Sequence, residues 1–213
     1  MSAMPADAVL FDLDGCLVDS RVPFARSINA ALDEHGLPQR PEHELHAFLG
    51  PPIHTTFCDL YGDEQLAHSL VDSYRRHYRA RAAAETPVFD GVPEVVAELS
   101  LRVPLVVATS KPHALADPLL EALGLRPHFR AVVGPELSAV NEPKSATVER
   151  ALRHVSGRVV MVGDRRFDIE AARHHGLRSV GVLWGIGAEA ELRSAGADAL
   201  VERPDQLPAA IDG

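Results

Sequence analysis

Two aspartates two positions apart, Asp12 and Asp14, follow directly on the apolar run AVLF at residues 8–11. Side chains alternate along an extended chain, so both carboxylates project to one side and Leu13 to the other, and Gly15 permits a sharp turn just beyond. Two like charges this close resist ionising together. Without a compensating cation one of them would take up a proton, so a pair that stays charged calls for a bound metal, a lysine or both. The chain supplies candidates at three further places: Thr109 and Ser110 close the run VPLVVA, Lys144 opens the helical stretch KSATVERAL, and Gly163-Asp164 close RVVMV with Asp168 four residues on. Hard oxygen ligands in this number suit Mg²⁺ rather than zinc, and Mg²⁺ typically accompanies phosphoryl groups. In phosphoryl transfer the protein mainly positions groups and stabilises charge; an aspartate can then serve as nucleophile through an aspartyl-phosphate.

These residues meet only if the chain folds as a parallel sheet. From residue 90 onward short apolar runs alternate with amphipathic stretches, the pattern of βα units. Strands are predicted at Val9–Phe11, Val103–Ala108, Ala131–Val133, Arg158–Val162, Ser179–Leu183 and Ala199–Val201. Helices are predicted at 92–100, 113–123, 145–154, 168–175 and 188–195, with Gly124, Gly176 and Gly196 where helices would end. Residues 20–89 break this rhythm: helical segments at about 21–35, 41–48 and 63–84, with no convincing strand. This predicts a core of residues 1–18 and 90–213 carrying an all-helical insertion of residues 19–89. The insertion would hang over the carboxyl ends of the strands, where open α/β sheets bind ligands. Pro51–Pro52 and residues 87–91 read as a loop and a return linker.

At 213 residues the chain is long enough for one core domain and a smaller addition. A net charge of −9 leaves no basic footprint for nucleic acid or an anionic membrane, so an anionic substrate must be drawn in by a local cation. Two cysteines, Cys16 and Cys58, stand at no metal-binding spacing; with no leader segment and no stretch near the ~20 apolar residues of a membrane span, a reduced cytoplasmic setting is expected. Cys16 reads as a small structural side chain in the turn. The eleven histidines read as surface residues, Arg165 and Arg166 as exposed arginines at a helix start, and Trp184 as packing.

Taken together, Asp12-Leu13-Asp14-Gly15, Thr109 in ATSKP, Lys144 and the run Gly163-Asp164-Arg165-Arg166-Phe167-Asp168 resemble the four motifs of the haloacid dehalogenase superfamily. Within it the chain resembles the phosphoglycolate phosphatase-like branch, over nearly its whole length. The resemblance implies a Rossmann-like parallel sheet with helices on both faces and a helical cap inserted after the first strand. It implies a Mg²⁺-dependent phosphatase acting on a small phosphate monoester: a phosphoglycolate-like compound, a nucleotide or a sugar phosphate. Asp12 would attack phosphorus, and Asp14 would protonate the leaving oxygen and later deprotonate water. Thr109, with Ser110 beside it, and Lys144 would hold the phosphoryl group. Mg²⁺ would sit between Asp12, the Asp14 main-chain carbonyl and Asp164, with Asp168 ligating directly, through water, or by orienting the others.

Lys144 follows Pro143, whereas many relatives carry the proline after the lysine, and Lys111 is the only other lysine and so the only replacement. A sugar-phosphate mutase with the same core is the alternative reading. A dehalogenase is disfavoured by the presence of Asp14, and a phosphonatase by the lack of any lysine in residues 19–89. A signalling receiver module and a catalytically silent scaffold fit less well, since the insertion has no place in the first and the intact acids argue against the second. The expected partner is a small phosphorylated metabolite, with no nucleic acid or membrane and a monomeric or homodimeric state. Arg21, the loop Gly50–His54 and Arg79 are the candidate cap contacts to substrate.

Overall fold

The fold follows the βα reading closely. A computed structural model of the protein describes residues 5–213. Residues 1–4, which the core-domain assignment includes, lie outside that range. The chain runs β1 (Ala8–Phe11), α1 (Arg21–Glu34), α2 (Glu42–His46), α3 (Ile53–Tyr61), α4 (Glu64–Glu85) and α5 (Val92–Ser100). It continues through β2 (Leu105–Ala108), α6 (His113–Ala122), β3 (Ala131–Val133), α7 (Lys144–Leu152), β4 (Val159–Gly163), α8 (Arg166–His174), β5 (Arg178–Val182), α9 (Glu189–Ala195), β6 (Ala199–Val201) and α10 (Leu207–Asp212).

All strand pairings are parallel, in the order β3-β2-β1-β4-β5-β6. Both faces are covered, which is why the strands read as unbroken apolar runs rather than alternating ones. On one face Val9, Phe11, Leu105, Val107, Val160 and Val162 pack with α5, α6 and α10; on the other Ala8, Leu10, Val106, Ala108 and Met161 pack with α7 and α8. The strand order reverses between β1 and β4, and a doubly wound sheet opens its ligand crevice outside the carboxyl ends at such a point. Asp12 and Asp164 follow those two strands.

Helices α1–α4 occupy the stretch between β1 and α5. On α1 the residues Phe24, Ala25, Ile28, Ala31 and Leu32 are buried at helical spacing, and on α4 so are Val71, Tyr74, Tyr78 and Ala82. The Phe24 and Tyr74 rings meet edge-on at 5.8 Å. These side chains belong to the same apolar cluster as Phe11, Leu13 and Leu17, so the helical layer and the sheet share one continuous core.

One helix departs from the sequence reading. Ile53 and His54, expected in a loop, open α3 directly after Pro52. Pro52 sits in extended geometry and needs no N–H, so a helix can begin at once behind it. Gly62, left-handed at φ 64°, ends α3, and the Asp63 side chain caps α4 by accepting from the Leu66 N–H at 3.0 Å. The remaining boundaries shift by at most two residues, and the C-terminal α10 is an addition. No helix among the described residues is long and apolar enough to cross a membrane.

Candidate active site

Parallel pairing carries Asp12, Thr109 and Asp164 to one edge of the sheet, just beyond β1, β2 and β4. Their main chains are registered by the sheet: the Asp12 N–H donates to the Val162 carbonyl and the Thr109 N–H to the Val133 carbonyl, each at 2.9 Å. Lys144, the first residue of α7, reaches the same edge. Its Nζ lies 2.6 Å from Asp12 Oδ1 and 2.8 Å from Asp168 Oδ1. Asp168 also accepts from the Arg165 N–H through Oδ2 at 3.1 Å, which satisfies an orphan donor in the first turn of α8. All five of Asp12, Thr109, Lys144, Asp164 and Asp168 are buried. The sequence favours Lys144 over Lys111 for this role, and Lys144 is the lysine beside Asp12.

Asp164 is held differently. Its Oδ2 accepts from the Ile186 N–H at 2.7 Å, while Oδ1 is buried and has no hydrogen-bond partner. A buried charged oxygen without a partner is costly. One carboxylate oxygen from each of Asp12, Asp164 and Asp168 lies within 4.8 Å of the others. A hard divalent cation fits this donor set, and it would satisfy the orphaned Asp164 oxygen. Close approach is secured by glycines. Gly15, at φ +86°, lies where any Cβ would overlap the Asp164 carboxylate, and a Cβ at Gly185 would overlap Asp164 as well.

The charges reflect this crowding. Burial pushes Asp12 up to about 6, with the Asp168 and Asp14 charges adding to the rise and Lys144 opposing it. Burial likewise lifts Asp164 well above the usual carboxylate range, reinforced by Asp12 and Asp168. For Lys144 burial acts downward, but Asp12 and Asp168 outweigh it and raise the group above its ordinary value.

Asp14 occupies a different surrounding. β1 ends at Phe11, and a tight turn in which the Leu17 and Val18 N–H groups share the Leu13 carbonyl carries Asp14 away from the acidic trio. Asp14 is expected at the metal through its main-chain carbonyl, and its carboxylate is not among the converging oxygens. It accepts instead from Lys111 Nζ, at 2.5 and 2.6 Å on its two oxygens, and Lys111 is 2.8 Å from the Tyr78 hydroxyl on α4. Asp12 and Asp14 still face one cavity of about 60 Å³, which Thr109, Ser110 and Lys111 line together with Tyr74 and Arg75 of α4.

Arg165 is not an exposed arginine: its Nε binds Glu191 at 2.9 Å and its Nη1 donates to the Leu49 carbonyl, tying the α8 start to the helical layer. Trp184 does more than pack, donating from Nε1 to the Cys16 carbonyl at 3.0 Å. His54 is buried, with Nε2 3.3 Å from His68 Nδ1. Arg21 is turned to Asp19, and Arg79 is exposed and lines a separate cavity with Ala82 and Leu119, so neither lines the cavity of Asp12 and Asp14. Gly50, Pro51 and Ile53 of the predicted loop do line it, and His54 lines a neighbouring one. Tyr78 and Arg75 went unread; the signal for Arg75 was its place one helical turn after Val71, in an otherwise apolar stripe.

A profile of haloacid dehalogenase-like hydrolases matches residues 9–182, from the first strand through β5. The chain belongs to that family. This hydrolase is 36% identical over 195 residues to a 5'-nucleotidase of Pseudomonas aeruginosa, covering 87% of this chain and 86% of that protein. It is 32% identical over 212 residues to a phosphoglycolate phosphatase of Caulobacter vibrioides, covering 95% and 89%. Its fold is that of a crystal structure described as a predicted phosphatase from Clostridium acetobutylicum, with a TM-score of 0.90, 33% identity and 98% of each chain covered. Relatives of this kind place the hydrolase in the phosphoglycolate phosphatase-like branch.

Proposed function

We propose that this hydrolase releases phosphate from a small phosphate monoester, with Mg²⁺ as cofactor and Asp12 as nucleophile. In this reading α1–α4, within residues 19–89, form a cap over a core of residues 1–18 and 90–213. The observation that carries it is the placing of Asp12: buried, braced by Lys144, and beside an Asp164 oxygen that has no protein partner while facing the same cavity as Asp14 and Thr109. The relatives' phosphatase and nucleotidase names support the same class of reaction.

Asp12 and Asp164 would hold the cation, with the Asp14 main-chain carbonyl that the family resemblance implies; Asp168, both of whose oxygens are engaged, would orient Lys144. Bound Mg²⁺ supplies electrostatic stabilisation of the phosphoryl oxygens. The remaining work falls to the chain. An Asp12 oxygen attacks phosphorus as the ester P–O bond breaks, and the departing oxygen takes the proton of Asp14, leaving an aspartyl-phosphate and a free alcohol. Water then attacks the aspartyl-phosphate, giving a proton to Asp14, so that inorganic phosphate leaves and Asp12 is restored. Thr109 and Lys144 hold the phosphoryl group throughout.

The test is a panel of phosphate esters with Mg²⁺, containing 2-phosphoglycolate, nucleoside monophosphates and sugar phosphates, run beside Asp12→Asn. Phosphate release that disappears on chelation and in Asp12→Asn is expected. Full activity in Asp12→Asn would overturn the assignment, and interconversion of a sugar phosphate without phosphate release would identify a mutase.

A further inference from the structure

Arg75 is the one cation that the helical layer contributes to the cavity of Asp12 and Asp14. It stands on the inward stripe of α4, one turn after Val71 and beside Tyr74, both buried. Its side chain is only 18% exposed. Its guanidinium makes no hydrogen bond to any described residue, and Nε is buried without a partner. The nearest carboxylate, Asp72, lies 3.9 Å away on a side chain that is 79% exposed. Three other arginines of the same layer are matched more closely: Arg21 with Asp19 at 2.6 Å, Arg76 with Glu34 at 2.8 Å and Arg26 with Glu85 at 3.4 Å.

Arg75 is half-buried, with only its Nε shut off from water without a partner and a loose 3.9 Å pairing of Nη1 to Asp72; a buried donor without a partner is costly, and the planar guanidinium fork matches a carboxylate or phosphate oxygen pair. Burial draws the Arg75 group below its ordinary value, opposed by the Asp72 charge and reinforced by Arg79. The other cations of the cavity region are already engaged, Lys144 by Asp12 and Asp168 and Lys111 by Asp14. The reacting phosphoryl group is served from the sheet edge by Thr109 and Lys144. Arg75 comes from the opposite wall, with Phe24, Leu49, Ile53 and Tyr74 as its apolar surroundings. In the phosphomonoesterase reading the alcohol portion of the ester would face that wall.

We infer that Arg75 is a specificity-determining residue that binds an anionic group on the leaving-group portion of the substrate, either a carboxylate or a second phosphate. This rests on the phosphomonoesterase reading above and deepens it. A chain of net charge −9 repels a multiply charged ester at long range, so a dedicated cation at the second anion is what would admit one. An ester with a neutral alcohol portion leaves the buried Arg75 Nε without a partner and the guanidinium held only by its loose pair with Asp72, and is penalised for that reason.

The test compares three matched esters: 2-phosphoglycolate, ethylene glycol bisphosphate and 2-hydroxyethyl phosphate, which carry a carboxylate, a second phosphate and a neutral hydroxyl on the same two-carbon frame. One of the two charged esters should exceed the neutral one in kcat/KM by about 10- to 100-fold, the range of one charge-assisted contact, and the better of them identifies the anion. Arg75→Gln should bring that ratio to within about threefold of unity, and Arg75→Lys should restore part of it. A ratio near unity in the wild type, or one that survives in Arg75→Gln, overturns the inference; a merely structural role would depress all three esters equally and leave the ratio in place. Binding of the three esters to Asp12→Asn, with and without Arg75→Gln, reads the same ratio without turnover. An inactive wild type whose Asp12→Asn form still prefers a charged ester would overturn the phosphatase reading and leave Arg75 standing. Hydrolysis without preference would do the reverse.

Discussion

Lys111 Nζ sits 2.6 Å from Asp14 Oδ2 and 2.8 Å from the Tyr78 hydroxyl, so the carboxylate assigned to proton transfer is tied through one ammonium to α4. Asp12 has its own lysine, Lys144. Each acid of the Asp-x-Asp pair is therefore balanced separately, and the second cation connects the sheet edge to the helical layer. Lys111→Met should lower kcat by about 10²- to 10³-fold, the usual scale of general acid–base catalysis, because Asp14 loses the donor that fixes it. Calorimetric Mg²⁺ affinity should stay near the wild-type value, since the Asp14 carboxylate is not among the converging oxygens. A parallel fall in metal affinity would place the Asp14 carboxylate with the metal ligands after all.

Lys144 is buried between Asp12 and Asp168, so removing it strands two buried carboxylates. Lys144→Met should cost about 3–5 kcal/mol in urea unfolding at neutral pH without metal. Arg193→Met, which breaks the exposed pair with Glu189, should cost under about 1 kcal/mol.

The pH dependence has a definite sign. Asp12 is raised to about 6 in the fold, against roughly 3.9 unfolded. Between those values the folded state binds more protons than the unfolded one, so the metal-free protein loses stability as pH climbs through 6. Asp164, also raised, acts in the same direction. A divalent cation favours the ionised carboxylates and offsets that loss. The rise in Tm on adding Mg²⁺ should therefore be small near pH 4.5 and substantially larger near pH 7.5, as thermal melts at fixed ionic strength would show. An increment that shrinks with rising pH would contradict the assignment of these acids to the cation.

Gly15 couples the turn after β1 to Asp164. It combines φ +86° with a Cβ direction blocked by the Asp164 carboxylate, whereas Gly36 at φ +67° faces open space. Gly36→Ala should cost about 1–2 kcal/mol, the left-handed backbone penalty alone. Gly15→Ala should cost more and should abolish the Mg²⁺-induced gain in Tm, because Asp164 must move. Equal effects of the two substitutions would show that the Gly15 contact is unimportant.

The legibility of this fold varied with how local each signal was. Runs such as LVVA and VVMVG announce buried parallel strands because both faces are covered, and their carboxyl ends therefore locate Asp12, Thr109 and Asp164 without coordinates. Lys144 was readable for a similar reason, standing at a helix start behind a strand. Helix α3 was obscured because Gly50, Pro51 and Pro52 look like a loop, although a proline just before a helix is compatible with its start. Arg165 could not be read from its neighbours: the groups it satisfies, the Leu49 carbonyl and Glu191, lie 116 and 26 positions away in the chain. The Asp14–Lys111–Tyr78 chain spans 97 and 33 positions and depends on how the helical layer sits on the sheet. Arg75 was hidden by exposed arginines around it; only its register with Val71 and Tyr78 marked it as inward.

The central claim is that Asp12 carries the phosphoryl group. Its most direct test is rapid acid quenching during turnover of a phosphate ester radiolabelled on phosphorus, with Mg²⁺ present, followed by counting label on the precipitated protein. Label is expected to appear faster than free phosphate, to map to the peptide containing Asp12 and to be absent in Asp12→Asn. Turnover with no labelled protein at any quench time, or label that persists in Asp12→Asn, would contradict it.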